Sequence, residues 1–165
     1  MRLLFIILAL FAQPLFAQDI TGTITGNVGE ETGEWSTIQI EDINTANTSE
    51  VVPTLWSFSI QGHRDAKFAT EGTVSIEFDI VNETTLMSAD VTYFYGSSIM
   101  ENYQSDDSVT LTLTQIEKVG DTYLVAGNIV GEIYKSSGKY GEEIDADDAM
   151  PVDLTFTATA ENRVY

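Results

Sequence analysis

"GTVSIEFDI", residues 72–80, decides the fold class, because its side chains alternate between apolar and polar from Val74 to Ile80. Consecutive side chains of an extended chain point to opposite faces, so this segment has one apolar and one polar face. The apolar face consists of Val74, Ile76, Phe78 and Ile80. The pattern predicts a β-strand with one side in a core and the other in water.

The same alternation recurs along the chain, for example in "TLWSFSIQG" (54–62) and "VDLTFTATA" (152–160), and no stretch has the apolar spacing of a helix. We therefore predict an all-β fold with about eight antiparallel strands. They are expected at 20–28, 35–41, 55–62, 72–81, 88–96, 108–118, 122–134 and 151–160. Such strands build a β-sandwich or a small closed barrel. The longer connections are expected at 42–54, 97–107 and 135–150.

Glycines interrupt two of the predicted strands, in "GTITGNV" (22–28) and "GNIVGEI" (127–133). Glycine inside a strand marks a bulge, a bend or a place where a large side chain lies over the backbone. We expect an indole, from Trp35 or Trp56, to cover these glycines.

The first 17 residues have the pattern of a secretory signal peptide. Arg2 precedes an apolar run, and Ala17 provides a small residue for cleavage. The run is shorter than the roughly 20 apolar residues of a membrane-spanning helix. We expect 1–17 to be removed and 18–165 to form a single all-β domain. The chain contains no cysteine, which fits a bacterial protein of the periplasm or the extracellular space.

Acidic residues outnumber basic ones by 26 to 7, which gives a net charge of −19. Such a surface repels phosphate groups, so nucleic acid and anionic membrane surfaces are excluded as partners. The same charge favours a soluble monomer.

The most acidic stretch is "GKYGEEIDADDAMP", residues 138–151. Its carboxylates are Glu142, Glu143, Asp145, Asp147 and Asp148. Calcium binds about six to eight oxygens, and clustered carboxylates can supply them. The spacing does not match a calcium-binding loop, because with Asp145 as the first ligand Met150 stands where glycine is needed. We expect a solvated acidic loop and keep a calcium site as the alternative; no other cofactor is indicated.

Residues that could support catalysis are few. His63 is the only histidine, and with Asp65 beside it, it could act as an acid or base, but no nucleophile stands near it in sequence, so we expect a turn residue paired with a carboxylate. Glu77 and Asp79 lie on the same face of one strand, whereas the carboxylates of glycosidases face each other across a cleft. No nucleophile elbow surrounds Ser97 and no phosphate-binding loop is present. We predict that the protein is not an enzyme.

Tyrosines suggest a binding surface. Phe94 lies on the opposite face of its strand from Tyr93 and Tyr95, so one face shows an aromatic ring to solvent or to a loop. Further tyrosines fall near predicted loops: Tyr103, Tyr134 and Tyr140. Exposed tyrosines with acidic neighbours can hold a sugar or a peptide.

The sequence favours an exported bacterial protein of the periplasm or extracellular space that serves as a non-catalytic binding or structural module. Its partner would be a protein, a peptide or a glycan. Three alternatives stay open: a lipocalin-like carrier of a small ligand, a calcium-dependent recognition module using 142–148, and an eight-stranded outer-membrane barrel.

Overall fold

The computed structural model describes residues 18–137 and 143–163, so the predicted signal peptide lies outside the described residues. The described chain forms eleven strands and one turn of 3-10 helix, Arg64–Ala66. The strands are β1 (Asp19–Val28), β2 (Glu31–Ile40), β3 (Ile43–Asn44), β4 (Ala46–Val52), β5 (Leu55–Gly62), β6 (Thr73–Val81), β7 (Thr85–Phe94), β8 (Asn102–Gln104), β9 (Thr110–Val119), β10 (Thr122–Ser137) and β11 (Glu143–Asn162). The all-β prediction is confirmed. None of the described helical segments has the length and apolar character that a membrane span requires.

The strands form two layers that are joined by hydrogen bonds at two corners. One layer has the order β2-β1-β11-β10-β9 and the other β4-β5-β6-β7-β8. At one corner the end of β11 pairs with β4, and at the other β8 pairs with the end of β10. Seven strands thereby close into a ring, β4-β5-β6-β7-β8-β10-β11, from which the remaining strands extend. The β11–β4 pairing is parallel, whereas the sequence predicted only antiparallel pairs.

The apolar faces that the alternation predicts fill the space between the layers. Ile76 and Ile80 are fully buried, and Phe78 is 2% exposed. The Phe58 ring stacks on Phe78 at 4.8 Å between centroids, and Phe78 meets Phe156 of the opposite layer at 6.1 Å. These rings occupy the centre of the molecule, where burial of apolar surface provides most of the stability.

Strand β5 occupies the predicted range 55–62, but the three predicted long connections each contain strand. Strands β3 and β4 lie within 42–54, β8 lies within 97–107, and the ends of β10 and β11 extend into 135–150. These segments fill most of their buried positions with polar side chains, among them Asn44, Thr48, Asn102 and Ser136. They therefore lack the apolar alternation from which a strand is recognised in sequence.

The prediction that an indole covers the glycines of 22–28 and 127–133 is wrong. The Trp35 side chain instead packs against Gly33 and Gly62, where a Cβ atom would overlap it. The ring beside Gly127 belongs to Phe156. A large side chain does lie beside a strand glycine, as expected. The pairing of strands that are distant in sequence decides which ring lies beside which glycine.

Candidate functional site

An open cleft of about 450 Å³ lies where the start of β2, the segment after β5 and the end of β7 meet. Its lining is rich in charged and aromatic side chains: Glu31, Arg64, Asp65, Lys67, Glu71, Tyr93 and Tyr95. We call it the tyrosine cleft.

Strand β2 holds the segment 63–72 that forms one wall of the tyrosine cleft. Ser36 of β2 and His63 exchange two backbone hydrogen bonds of 2.9 Å. The indole Nε1 of Trp35, which is fully buried, donates to the carbonyl oxygen of Gly72 at 2.7 Å. Both ends of the segment are therefore tied to one strand, so its charged side chains are presented from a fixed backbone.

The floor of the cleft is a network around Glu31. The Arg64 guanidinium forms an ion pair with this carboxylate and lies 5.4 Å from the centre of the Trp35 ring. The Tyr93 hydroxyl donates to Glu31 Oε2 at 3.3 Å. Burial raises the pKa of Tyr93, and the negative charge of Glu31 raises it further, while Arg64 lowers it. Tyr93 is therefore neutral at pH 7 and acts as a hydrogen-bond donor.

A second network continues the rim of the cleft onto the hairpin of β10 and β11. The Tyr95 and Tyr103 rings meet edge to face at 5.5 Å. The Tyr103 hydroxyl donates to Asp148 Oδ1 at 3.0 Å, and the same carboxylate pairs with Lys135 Nζ at 3.3 Å. Lys135 Nζ also lies 5.9 Å from the centre of the Tyr95 ring. Burial raises the pKa of Tyr103, and the hydrogen bond to Asp148 adds to the increase.

Cationic side chains gather around these tyrosines, although the protein is strongly acidic. The described residues include five, of which Arg64 and Lys67 line the cleft and Lys135 contacts its rim. Lys67 is exposed and has no ion pair within 18–137 and 143–163. The cleft therefore places two cations beside the three carboxylates of Glu31, Asp65 and Glu71, on a surface whose net charge is −19.

The acidic stretch is strand rather than loop where the structure describes it. Glu143, Asp145, Asp147 and Asp148 lie in β11, and Glu142 lies outside the described residues. Pairing with β10 jumps from Ala149 to Asp145, so the intervening residues bulge from the ladder. Over the described ranges, no group of three or more acidic or histidine side chains is placed to hold a metal ion. The calcium site stays a prediction.

His63 pairs with no carboxylate among the residues that the structure describes, so this part of the sequence prediction is wrong. Its ring is 2% exposed, and its Nδ1 lies 3.1 Å from the carbonyl oxygen of Ala69 and 3.0 Å from the hydroxyl of Thr73. The Thr73 hydroxyl itself donates to that carbonyl, so Nδ1 carries the proton. Burial lowers the pKa of His63, and the hydrogen bond to Ala69 partly offsets the decrease.

The other candidate side chains do not converge with the tyrosine cleft. Glu77 is exposed on β6, and Asp79 of the same strand accepts a hydrogen bond from Ser88 at 3.0 Å. The Tyr134 hydroxyl donates to Glu132 at 3.1 Å, and Tyr140 lies outside the described residues.

Sequence reasoning named Tyr93, Tyr95 and Tyr103 but missed Glu31, Arg64 and Lys67. The two cations in "HRDAKF" (63–68) were the available signal, since basic residues are rare in this chain. Comparison of the chain with protein-family models, curated proteins and solved structures finds no significant match.

Proposed function

We propose that the protein is an exported, non-catalytic binding module that holds a saccharide in the tyrosine cleft. The observation that carries the proposal is the arrangement of Tyr93 and Tyr95 beside the Arg64–Glu31 pair in an open, polar cleft. The signal-peptide pattern of 1–17 supports export.

The side chains of the cleft match the two kinds of surface that a sugar ring presents. A pyranose has C–H faces, which suit tyrosine rings, and a rim of hydroxyl groups, which both donate and accept hydrogen bonds. Glu71 and Asp65 are acceptors, while Arg64 and Lys67 are donors. The absence of an ion pair on Lys67 among the described residues favours an acidic sugar such as a uronate.

A surface cleft is favoured over an internal cavity because aromatic rings fill the centre between the two layers. The non-catalytic assignment rests on the contacts that already hold the polar groups. Glu31 is held by Arg64 and Tyr93, and the imidazole of His63 is buried against Thr73 and Ala69.

Calorimetric titration of residues 18–165 with oligosaccharides tests the proposal. The panel contains hexasaccharides of neutral glucans and of uronates. We expect Tyr95→Ala to weaken binding at least ten-fold, or about 1.4 kcal/mol, because it removes the exposed ring of the cleft. We expect Lys67→Gln to weaken uronate binding while neutral glucan binding stays unchanged.

Tyr134→Ala is the matched control, since this tyrosine also donates to a glutamate but does not line the cleft. Circular dichroism establishes that each variant is folded. Equal losses in Tyr95→Ala and Tyr134→Ala, or no binding by any hexasaccharide of the panel, would refute the saccharide proposal.

A further inference from the structure

Strands β7 and β9 border an open seam on the side of the molecule opposite the closed β11–β4 corner. Residues 92–94 of β7 pair with β8, whereas 85–90 have no strand partner on this side within the described chain. Strand β9 pairs with β10 alone among the described strands. The space between the two free edges measures about 280 Å³ and is a site independent of the tyrosine cleft.

The seam arises where the chain after β8 leaves β7 and follows β10. Ser105 makes the last contacts with β7: its amide donates to the Val91 carbonyl at 2.9 Å, and its hydroxyl accepts from the Val91 amide at 3.0 Å. Pairing with β10 resumes at Thr110, opposite Val130. The edge of β7 stays with one layer and β9 with the other, so the layers separate here.

The walls of the seam are apolar and lead into the core. Leu86 and Ala89 line it from β7, and Val109 and Leu111 line it from the other side. Leu111 is 6% exposed, and the other three pack against the buried cluster. Met87, at the mouth, is 64% exposed. An occupant would therefore extend the apolar core of the protein.

Both walls are strand edges, and this determines the shape of the occupant. Backbone groups of successive residues alternate in direction across a strand, so Ala89 follows Val91 in directing its N–H and C=O groups to this edge, up to the bulge at 86–88 in the pairing with β6. Thr110–Leu113 of β9 contain neither lysine nor proline, the residues that commonly block an edge. An extended peptide of about six residues, matching 85–90, satisfies both edges in the manner of strand addition.

The charges around the seam favour an occupant of positive charge. Asp107 lines the seam, and Asp106 is its neighbour in sequence. The Ser105 hydroxyl donates to Asp90 at 3.1 Å and so holds this carboxylate at the end of the seam where β8 leaves β7. No described lysine or arginine lines the seam. A second copy of the chain would add another 19 negative charges, which disfavours self-association.

We propose that the β7–β9 seam binds an extended segment of a partner protein in which apolar residues alternate with basic ones. The apolar side chains enter between Leu86 and Leu111, the basic side chains face Asp106 and Asp107, and the backbone pairs with both edges.

Titration of residues 18–165 with acetylated eight-residue peptides tests this proposal. The peptides alternate lysine with valine, isoleucine, leucine or phenylalanine. Controls are the same peptides with alternate backbone amides methylated, which removes donors but keeps side chains, and peptides with glutamate in place of lysine. We expect at least one lysine peptide to bind and both kinds of control to bind at least ten-fold more weakly. Hydrogen exchange should slow at 85–90 and 110–113.

Charge reversal identifies the site in the protein. The double variant Asp106→Lys/Asp107→Lys should weaken binding at least ten-fold, whereas Asp42→Lys/Asp121→Lys, the same charge change at exposed sites outside the seam, should weaken it far less. Binding by none of the lysine peptides, undiminished binding of the methylated ones, or protection outside the seam would overturn the proposal. Concentration-dependent dimers that show the same protection without peptide would instead assign the seam to a second copy.

Discussion

At the scale of single residues, the environment of His63 makes the stability of one wall of the tyrosine cleft dependent on pH. Burial opposes protonation of its imidazole, and none of the described carboxylates contacts the ring to offset that cost. The ring also packs 5.0 Å from the Phe68 ring, which lies in the same segment. Protonation therefore opposes the folded position of this segment.

The free energy of unfolding should fall as the pH drops below about 6.5. The unfolded chain binds a proton near the ordinary pKa of 6.5, while burial lowers the pKa in the folded state. Stability is thus fully present above pH 6.5 and is lost toward the lowered pKa, with a limiting slope of about 1.4 kcal/mol per pH unit for one proton. Urea unfolding at several pH values between 7.5 and 5.5 measures this change in the free energy of unfolding.

His63→Gln is the control, because the chain has no other histidine. The variant should be less stable overall but should show no dependence on pH across this window. An equal slope in the variant would contradict the assignment to His63.

At the scale of elements, Gly26 in the middle of β1 allows this strand to lie against β11. Its φ is +139°, and an added Cβ would overlap the carbonyl oxygen of Asp153. Gly120, in the turn between β9 and β10, also has a positive φ of +63°, but no atom of the described residues lies within 4 Å of the Cβ position.

Gly26→Ala should destabilise the protein by at least about 2 kcal/mol, because it adds a backbone overlap to an unfavourable φ. For a domain of this size that corresponds to a decrease of roughly 4–8 °C in Tm. Gly120→Ala should cost only about 1 kcal/mol, the price of the φ angle alone. Thermal unfolding followed by circular dichroism compares them; equal shifts would contradict the role of the Asp153 contact.

The elements differ in how well the sequence predicted them. Strand β5 was located to the residue because its alternate side chains enter the core. Strand β8 was missed because its three residues pair through backbone groups, which leave no trace in side-chain polarity. The sequence identified Tyr93 as a surface candidate. It did not identify the partners Arg64 and Glu31, because they come from elements distant in sequence.

At the scale of the whole molecule, the charge of −19 works against the compact state. Over the described ranges there are two salt bridges, Arg64–Glu31 and Lys135–Asp148, and they offset little of the repulsion between the carboxylates. Most of the carboxylates therefore repel one another through solvent, where salt screens them.

Raising sodium chloride from 10 mM to 0.5 M should increase Tm, because screening relieves this repulsion. Calcium chloride at matched ionic strength should give the same increase if the stretch 143–148 holds no ion. Differential scanning calorimetry measures both. A calcium-specific increase that disappears in Asp145→Asn/Asp147→Asn would establish a metal site there, whereas a decrease of Tm with sodium chloride would contradict the dominance of repulsion.

The sequence by itself determined the all-β class and the net charge, and it identified which residues of the regular strands face the core. Each of these depends on side-chain type and on the two-residue period of an extended chain. The tertiary structure alone decided that β11 closes on β4, that β7 separates from β9, and that Arg64 meets Glu31 beneath Tyr93. The physical reason is that strand pairing is made by backbone groups common to every residue, so the choice among distant partners emerges only when the layers pack together.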